Sequence, residues 1–201
     1  MVYTPSNPEM PVTDESLLKD IPPGLTVVKR PIWEPYTFYK ALSGRKKSDR
    51  INASFLSEKK KRSGLMEKLS VWVRGNFFVP DARRFWIAPS VSWLDPYLRN
   101  EGIGCIVRSG PPHSMHLIAA ALRHRNPSLR WVADFRDPWT NIDFYDHLML
   151  GSRADRMHKR MELDVLKQAD AVVGVGATMT RELQNIYTND GGTDPAKFSV
   201  I

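Results

Sequence analysis

The chain has 201 residues, 42% hydrophobic and 25% charged, with a formal net charge of +7. That length holds one sizeable core, and the composition is that of an ordinary soluble globular protein rather than a disordered or fibrous one. A single cysteine excludes an intrachain disulfide framework, and no apolar run approaches the roughly 18 residues of a membrane span. No signal peptide opens the chain, so a cytoplasmic location is expected. The positive balance favours an anionic partner: nucleic acid, a membrane surface or a phosphorylated substrate.

In chain order, Val2-Tyr-Thr4 is a strand fragment that runs into Pro5-Ser-Asn-Pro8, and residues 5–24 read as a surface loop. Asp14 is placed to cap a short helical piece over 14–19. Leu25–Arg30 is a strand ended by Pro31, after which Trp33, Tyr36, Phe38 and Tyr39 are expected to pack a loop and short helix onto the body. Residues 40–64 are polar, with basic runs at Arg45–Lys47 and Lys59–Arg62. Leu65, Met66, Leu69, Trp72 and Val73 then recur at helical spacing, and Val79-Pro80 ends that helix. A further helix is expected over 89–98, starting at Pro89 or Ser90.

Ile103–Arg108 reads as a strand in which Cys105 is a core residue, followed by a helix over 115–124 opened by Pro111-Pro112 at its first turn. Trp131–Phe135 is a buried strand, and residues 153–169 form a long helix with Met157, Met161, Leu163, Val165 and Leu166 broadly on one side. Ala171–Gly176 is a fully apolar strand, Thr178 caps a helix running through Tyr187, and Phe198–Ile201 begins a last strand. Strands separated by helical patterns predict an α/β protein with a Rossmann-like, doubly wound parallel sheet. No internal repeat or domain boundary is evident.

Two loops at strand ends carry the chemistry, because ligands of open α/β sheets bind beyond the carboxyl ends of the strands. In Ser109-Gly-Pro-Pro-His-Ser114, Gly110 admits a ligand close to the backbone, the helix start offers N–H groups to an anion, and His113 offers a donor or acceptor. In Asp134-Phe-Arg-Asp-Pro-Trp139, Arg136 suits a phosphate, Asp137 suits hydroxyls, and Trp139 suits stacking on a sugar ring. Asp134 and Arg136 are close enough to pair with each other, which would make the same stretch a salt-bridged strand end. The candidate substrate-binding set is therefore Ser109, Gly110, His113, Asp134, Arg136, Asp137 and Trp139.

Gly174-Val-Gly176 lacks the third glycine of a dinucleotide fingerprint, which disfavours an oxidoreductase. His113, His116 and His124 lack the companions of a metal site and read as structural. Nucleic-acid binding has only net charge behind it. Lys59, Lys60, Lys61 and Arg62, with Trp72 on the following helix, could meet an anionic membrane. A non-catalytic anion- or membrane-docking module is thus the alternative to an enzyme.

Together, Ser109–Ser114, Ala133–Thr140 and Ala169-Asp-Ala-Val-Val-Gly174 resemble the N-terminal, acceptor-side domain of family 4 glycosyltransferases of the GT-B fold, in the bacterial branch that builds surface polysaccharides. The resemblance spans nearly the whole chain. It implies a hexosyltransferase of retaining, metal-independent type, in which His113 and the Asp134–Trp139 loop line the acceptor side of a cleft. Arg136 stands where relatives often place a polar residue that contacts the acceptor. The acceptor would be a sugar or a lipid-linked sugar. The nucleotide-sugar donor belongs to a C-terminal domain, so no cofactor is expected on this chain. The resemblance also implies a location at the inner face of the membrane.

Relatives begin with a strand, a glycine-rich loop and a helix before the position of Val2, and continue past Ile201 into the donor domain. The chain thus resembles a single domain, 1–201, cut at both ends and lacking its first strand and helix. It is expected to be marginally stable, and a cooperative melt well above the ordinary mesophile range of about 45–65 °C would contradict that. Purified protein should release no nucleotide from a nucleotide-sugar in an acceptor-dependent assay; detectable turnover would overturn the reading.

Overall fold

The computed structural model describes residues 1–8, 14–34 and 65–201. The chain divides into two compact units, Met1–Ser70 and Val71–Ile201. No shift of composition at residue 70 marks that division in the sequence.

In the first unit, β1 (Val2–Pro5) and β2 (Val27–Arg30) form a two-stranded parallel ladder with Val2 opposite Val27. Asn7 extends the pairing: its amide donates to the Ile32 carbonyl at 3.1 Å and accepts from the Ile32 N–H at 2.9 Å. Asp14 accepts from the Ser16 N–H at 2.9 Å and caps a 3-10 turn, Glu15–Asp20, so the expected cap is present on a tighter helix. Phe38, Tyr36 and Tyr39, and the basic runs at 45–47 and 59–62, lie outside the described residues.

Helix α1 (Leu65–Phe77) runs across the division. In the second unit, α2 (Ile87–Asn100) precedes a four-stranded parallel sheet of β3 (Cys105–Gly110), β4 (Arg130–Phe135), β5 (Ala171–Gly174) and β6 (Phe198–Val200). The strands lie side by side in sequence order. They are joined by α3 (Ser114–Arg125), α4 (Ser152–Gln168) and α5 (Ala177–Asn189). Consecutive parallel strands joined by right-handed crossovers keep all their helices on one face. Here α3 packs on α4 and α4 on α5, as that rule requires.

The core lies between those helices and the alternate strand positions Trp131, Ala133, Phe135 and Val172, with Val165, Leu166 and Leu183 from the helices. The protein is therefore α/β with parallel strands. The order reversal that defines double winding is absent from this four-stranded sheet, among the described residues. Its second face carries Val107, 63% exposed, and the half-buried Val132, Ala171 and Val173. Cys105 belongs to that face and is exposed, not a core residue, because alternate positions of an edge strand point away from the helices.

The helix boundaries differ from expectation in instructive places. Helix α2 begins at Ile87, so Pro89 sits inside its first turn, where a missing N–H costs nothing. Pro111 and Pro112 precede α3 altogether; its N-cap is His113. The N-cap of α5 is Gly176, and Thr178 lies inside the helix. On α4 the buried residues are Ala154, His158, Glu162, Val165 and Leu166, so the stripe includes two polar residues and leaves Met157 and Leu163 half-buried.

At the amino ends of the strands, Asp170 ties three elements together. Its carboxylate accepts the Trp131 N–H at 2.8 Å and pairs with Arg123, which also donates to the Leu129 carbonyl at 2.8 Å. Burial pushes the Asp170 carboxyl up, but these hydrogen bonds and the charges of Arg123 and Arg130 outweigh it and hold the pKa below the usual 3.8. A depressed carboxylate stabilises the fold fully above its unfolded value and loses that contribution as pH falls through its folded value. Asp170→Asn should cost about 1.5–3 kcal/mol in urea unfolding at neutral pH. The gap to wild type should narrow below pH 3.8; a pH-independent gap would contradict this.

Candidate functional site

The two strand-end loops meet through backbone geometry. Parallel pairing sets Ser109 beside Asp134 and Gly110 beside Phe135, and the Arg136 N–H extends the ladder by donating to the Gly110 carbonyl at 2.8 Å. Strand alternation then sorts the side chains. Phe135 turns to the helices, whereas Asp134 and Arg136 belong to the face that carries Val132.

On the helix side the candidate residues are engaged by the protein itself. The His116 ring stacks on Phe135 at 4.5 Å between centroids and is fully buried. A Cβ at Gly110 would lie 2.5 Å from His116 Nε2, so the space this glycine leaves is filled by an imidazole rather than by a ligand. His113 stacks on Trp139 at 4.4 Å with the rings 4° from parallel. Trp139 is 2% exposed, and its indole N–H donates to His158 Nδ1 at 3.0 Å. The expected stacking of Trp139 on a sugar ring is therefore corrected: one face is occupied by His113 and its polar atom by His158.

Sequence reading missed His158 and Glu162. They sit four residues apart on the buried stripe of α4 and hold the loop from below. Glu162 accepts the Thr140 hydroxyl at 2.5 Å and the Thr140 N–H at 3.3 Å. Burial raises the Glu162 pKa, opposed by the hydrogen bonds from Thr140 and the Trp139 backbone. Tyr145 packs edge-on against His158 and donates to Asp155 at 3.1 Å. The signal available beforehand was spacing alone: Ala154, His158, Glu162, Val165 and Ala169 fall on one helical face.

Asp81 was also missed. Its carboxylate accepts the Ser114 N–H at 2.8 Å and the Ser114 hydroxyl at 2.6 Å, and the Arg83 N–H at 2.9 Å. The positive end of α3, expected to receive an anionic ligand, already holds an anion from the same chain. A phosphate there would displace a carboxylate bound through two contacts.

The open side is different. Asp134 is 5% exposed; its Oδ2 accepts from Arg136 Nε at 2.8 Å, while its buried Oδ1 has no hydrogen-bond partner. The Arg136 side chain is 58% exposed, and Ser109 and Asp137 are exposed beside it. Of the seven candidates, Ser109, Arg136 and Asp137 thus present polar atoms at the strand ends, and the buried Asp134 carboxylate is paired with Arg136. Gly110, His113 and Trp139 shape the support beneath. Among the described residues, no group of His, Cys, Asp and Glu could hold a metal ion. Comparisons with known protein families, curated proteins and solved structures find no match to this chain.

Burial holds His113 and His116 neutral, with pKa values pushed down to about 3; repulsion from His116 and His158 adds at His113, and repulsion from Arg108 at His116. An unfolded histidine takes a proton below 6.5, so the unfolded state binds more protons between 6.5 and about 3. Stability should therefore fall as pH drops through that window. His116→Leu should flatten the dependence of unfolding free energy on pH; curves of equal slope would contradict it.

Proposed function

We propose that this chain is the acceptor-binding half of a retaining, nucleotide-sugar-dependent glycosyltransferase that makes surface polysaccharide or glycolipid at the cytoplasmic face of the membrane. In this reading Ser109, Asp134, Arg136 and Asp137 grip the acceptor. The buried stack of His113 on Trp139, with Gly110, fixes the two loops that carry them. Asp134 Oδ1 accepts a hydrogen bond from an acceptor hydroxyl, and Arg136 donates to a ring or glycosidic oxygen while paired with Asp134. The nucleotide-sugar is held by a second domain facing this end of the sheet, which supplies the reacting sugar.

The observation that carries the reading is the unsatisfied Asp134 Oδ1 next to an exposed arginine, at the adjoining carboxyl ends of two parallel strands. A buried carboxylate oxygen without a donor is costly, about 1–3 kcal/mol or more, and a ligand hydroxyl removes that cost. Polar groups gathered beyond strand ends are the usual ligand site of open α/β sheets. The finer fold belongs to the same proposal. Among the described residues β3 has a single ladder neighbour, and a parallel strand added at that edge, with a helix across the Val107 face, completes a doubly wound sheet of GT-B type.

Calorimetric titration with short saccharides and lipid-linked saccharides tests this. Asp134→Asn and Arg136→Ala should each weaken binding roughly tenfold or more, the loss of one charge-assisted hydrogen bond. Affinity left unchanged by both substitutions, or no saccharide bound at all, would remove the proposal's support.

A further inference from the structure

Trp139 is held on two sides by imidazoles, and both contacts need the neutral form. His113 stacks on the indole at 4.4 Å, and His158 Nδ1 accepts the indole N–H at 3.0 Å. A proton on His158 Nδ1 would set one N–H against another and remove that bond. The His113 Nδ1 is buried without a hydrogen-bond partner, so a charge on that ring would have no acceptor to meet it.

The surroundings of each ring decide how readily it is charged. Asp81, ahead of the 3-10 turn Ala82–Trp86, and Asp155 on α4 face His158. Both are engaged already, Asp81 by Ser114 and Arg83, Asp155 by Tyr145 and Lys159. Their charge opposes burial without overcoming it, and the His158 pKa stays below 6.5. His116 and His158 face His113 and repel a charge on it, so burial and repulsion together push its pKa down to about 3. Released into water, each imidazole returns to about 6.5. Falling pH therefore favours a loop in which Trp139 has left both rings, by up to about tenfold per pH unit for each imidazole. Glu162, on the same helix face, acts in the opposite sense. Burial raises its pKa above 4.5, so acid adds a proton while Thr140 is still in place, and a neutral carboxyl still bonds the Thr140 hydroxyl.

We infer that His113 and His158 form an acid-released latch on Trp139, which frees the Arg136–Trp139 turn in acid while Thr140 stays fastened. The latch itself does not depend on the ligand; its consequence, weaker acceptor binding in acid, rests on the reading proposed above.

NMR of isotope-labelled indole groups in the full 201-residue protein tests it, with the fully buried Trp131 as the reference for global folding. The range runs from about pH 7.5 to about pH 4.5, where most carboxylates are still ionised. Over it the Trp139 indole proton should move to the position of a free indole and exchange with water at least about tenfold faster, while Trp131 keeps its resonance. His158→Asn keeps an acceptor near Nδ1 and loses the titration, and His113→Phe keeps the stack. Each should reduce the pH dependence of Trp139 exchange, and the two together should abolish it. In the wild-type protein, a Trp139 signal unchanged over this range, or Trp139 and Trp131 lost together at one pH, would overturn the inference however the variants fold. So would a pH dependence retained by a folded double variant. Saccharide titrations at both ends of the range separate the two proposals. Binding that does not weaken while Trp139 is released overturns the consequence alone. No saccharide bound at any pH removes the acceptor reading, and indole exchange then decides the latch by itself.

Discussion

Trp131, Ala133 and Phe135 occupy alternate positions of β4 and are all buried against the helices, so Val132, Asp134 and Arg136 are forced to the opposite face. Most of the site follows from this constraint. It places the one exposed arginine of the Asp134–Trp139 loop beside the carboxylate it needs, and it leaves one oxygen of that carboxylate without a donor. The same constraint sends the following turn back under the sheet, where Trp139 and Thr140 are fastened to α4. Slipping β4 by one residue would turn Asp134 and Arg136 toward the apolar helices and move two aromatic rings to the opposite face, an exchange no small domain tolerates.

The support beneath the loops is built from polar side chains in an apolar setting. His113, Trp139, His158 and Glu162 form a connected series in which each ring or carboxyl is placed by its neighbour. Burial keeps the imidazoles neutral, so they pack as flat aromatic bodies and not as charges. His158 accepts through Nδ1, which places its own proton on Nε2 when neutral. Asp81 performs a comparable service for α3, neutralising a helix end that would otherwise present unpaired N–H groups. Rigid loops positioned in this way can present polar atoms without paying to order them when a ligand arrives.

Two surfaces of the second unit remain distinct in character. The strand-end surface is polar: Ser109 and Asp134 share one ladder position, and the Arg136 guanidinium follows two residues on. The surface at the end of α1 is aromatic and cationic. The first suits hydrogen bonding to a hydroxyl-rich ligand.

By itself the sequence determined the alternation of strands and helices, because apolar runs of β4 and β5 and the amphipathic spacing of α3 and α4 follow from local periodicity. It also determined that Ser109–Ser114 and Asp134–Trp139 are strand-end loops, since charge and proline directly follow apolar runs. Only the tertiary structure decided which face each residue serves. Cys105 looked like core because its neighbours are apolar, but strand β3 is an edge strand, and an edge is defined by what lies beside it. Trp139 and Gly110 looked like ligand contacts, yet His113 and His116, one helical turn apart on α3, fill those places instead. Asp81 reaches Ser114 across 33 residues, and His158 reaches Trp139 across 19. Contacts at such separations depend on how the helices pack on the sheet, which no local window of sequence records.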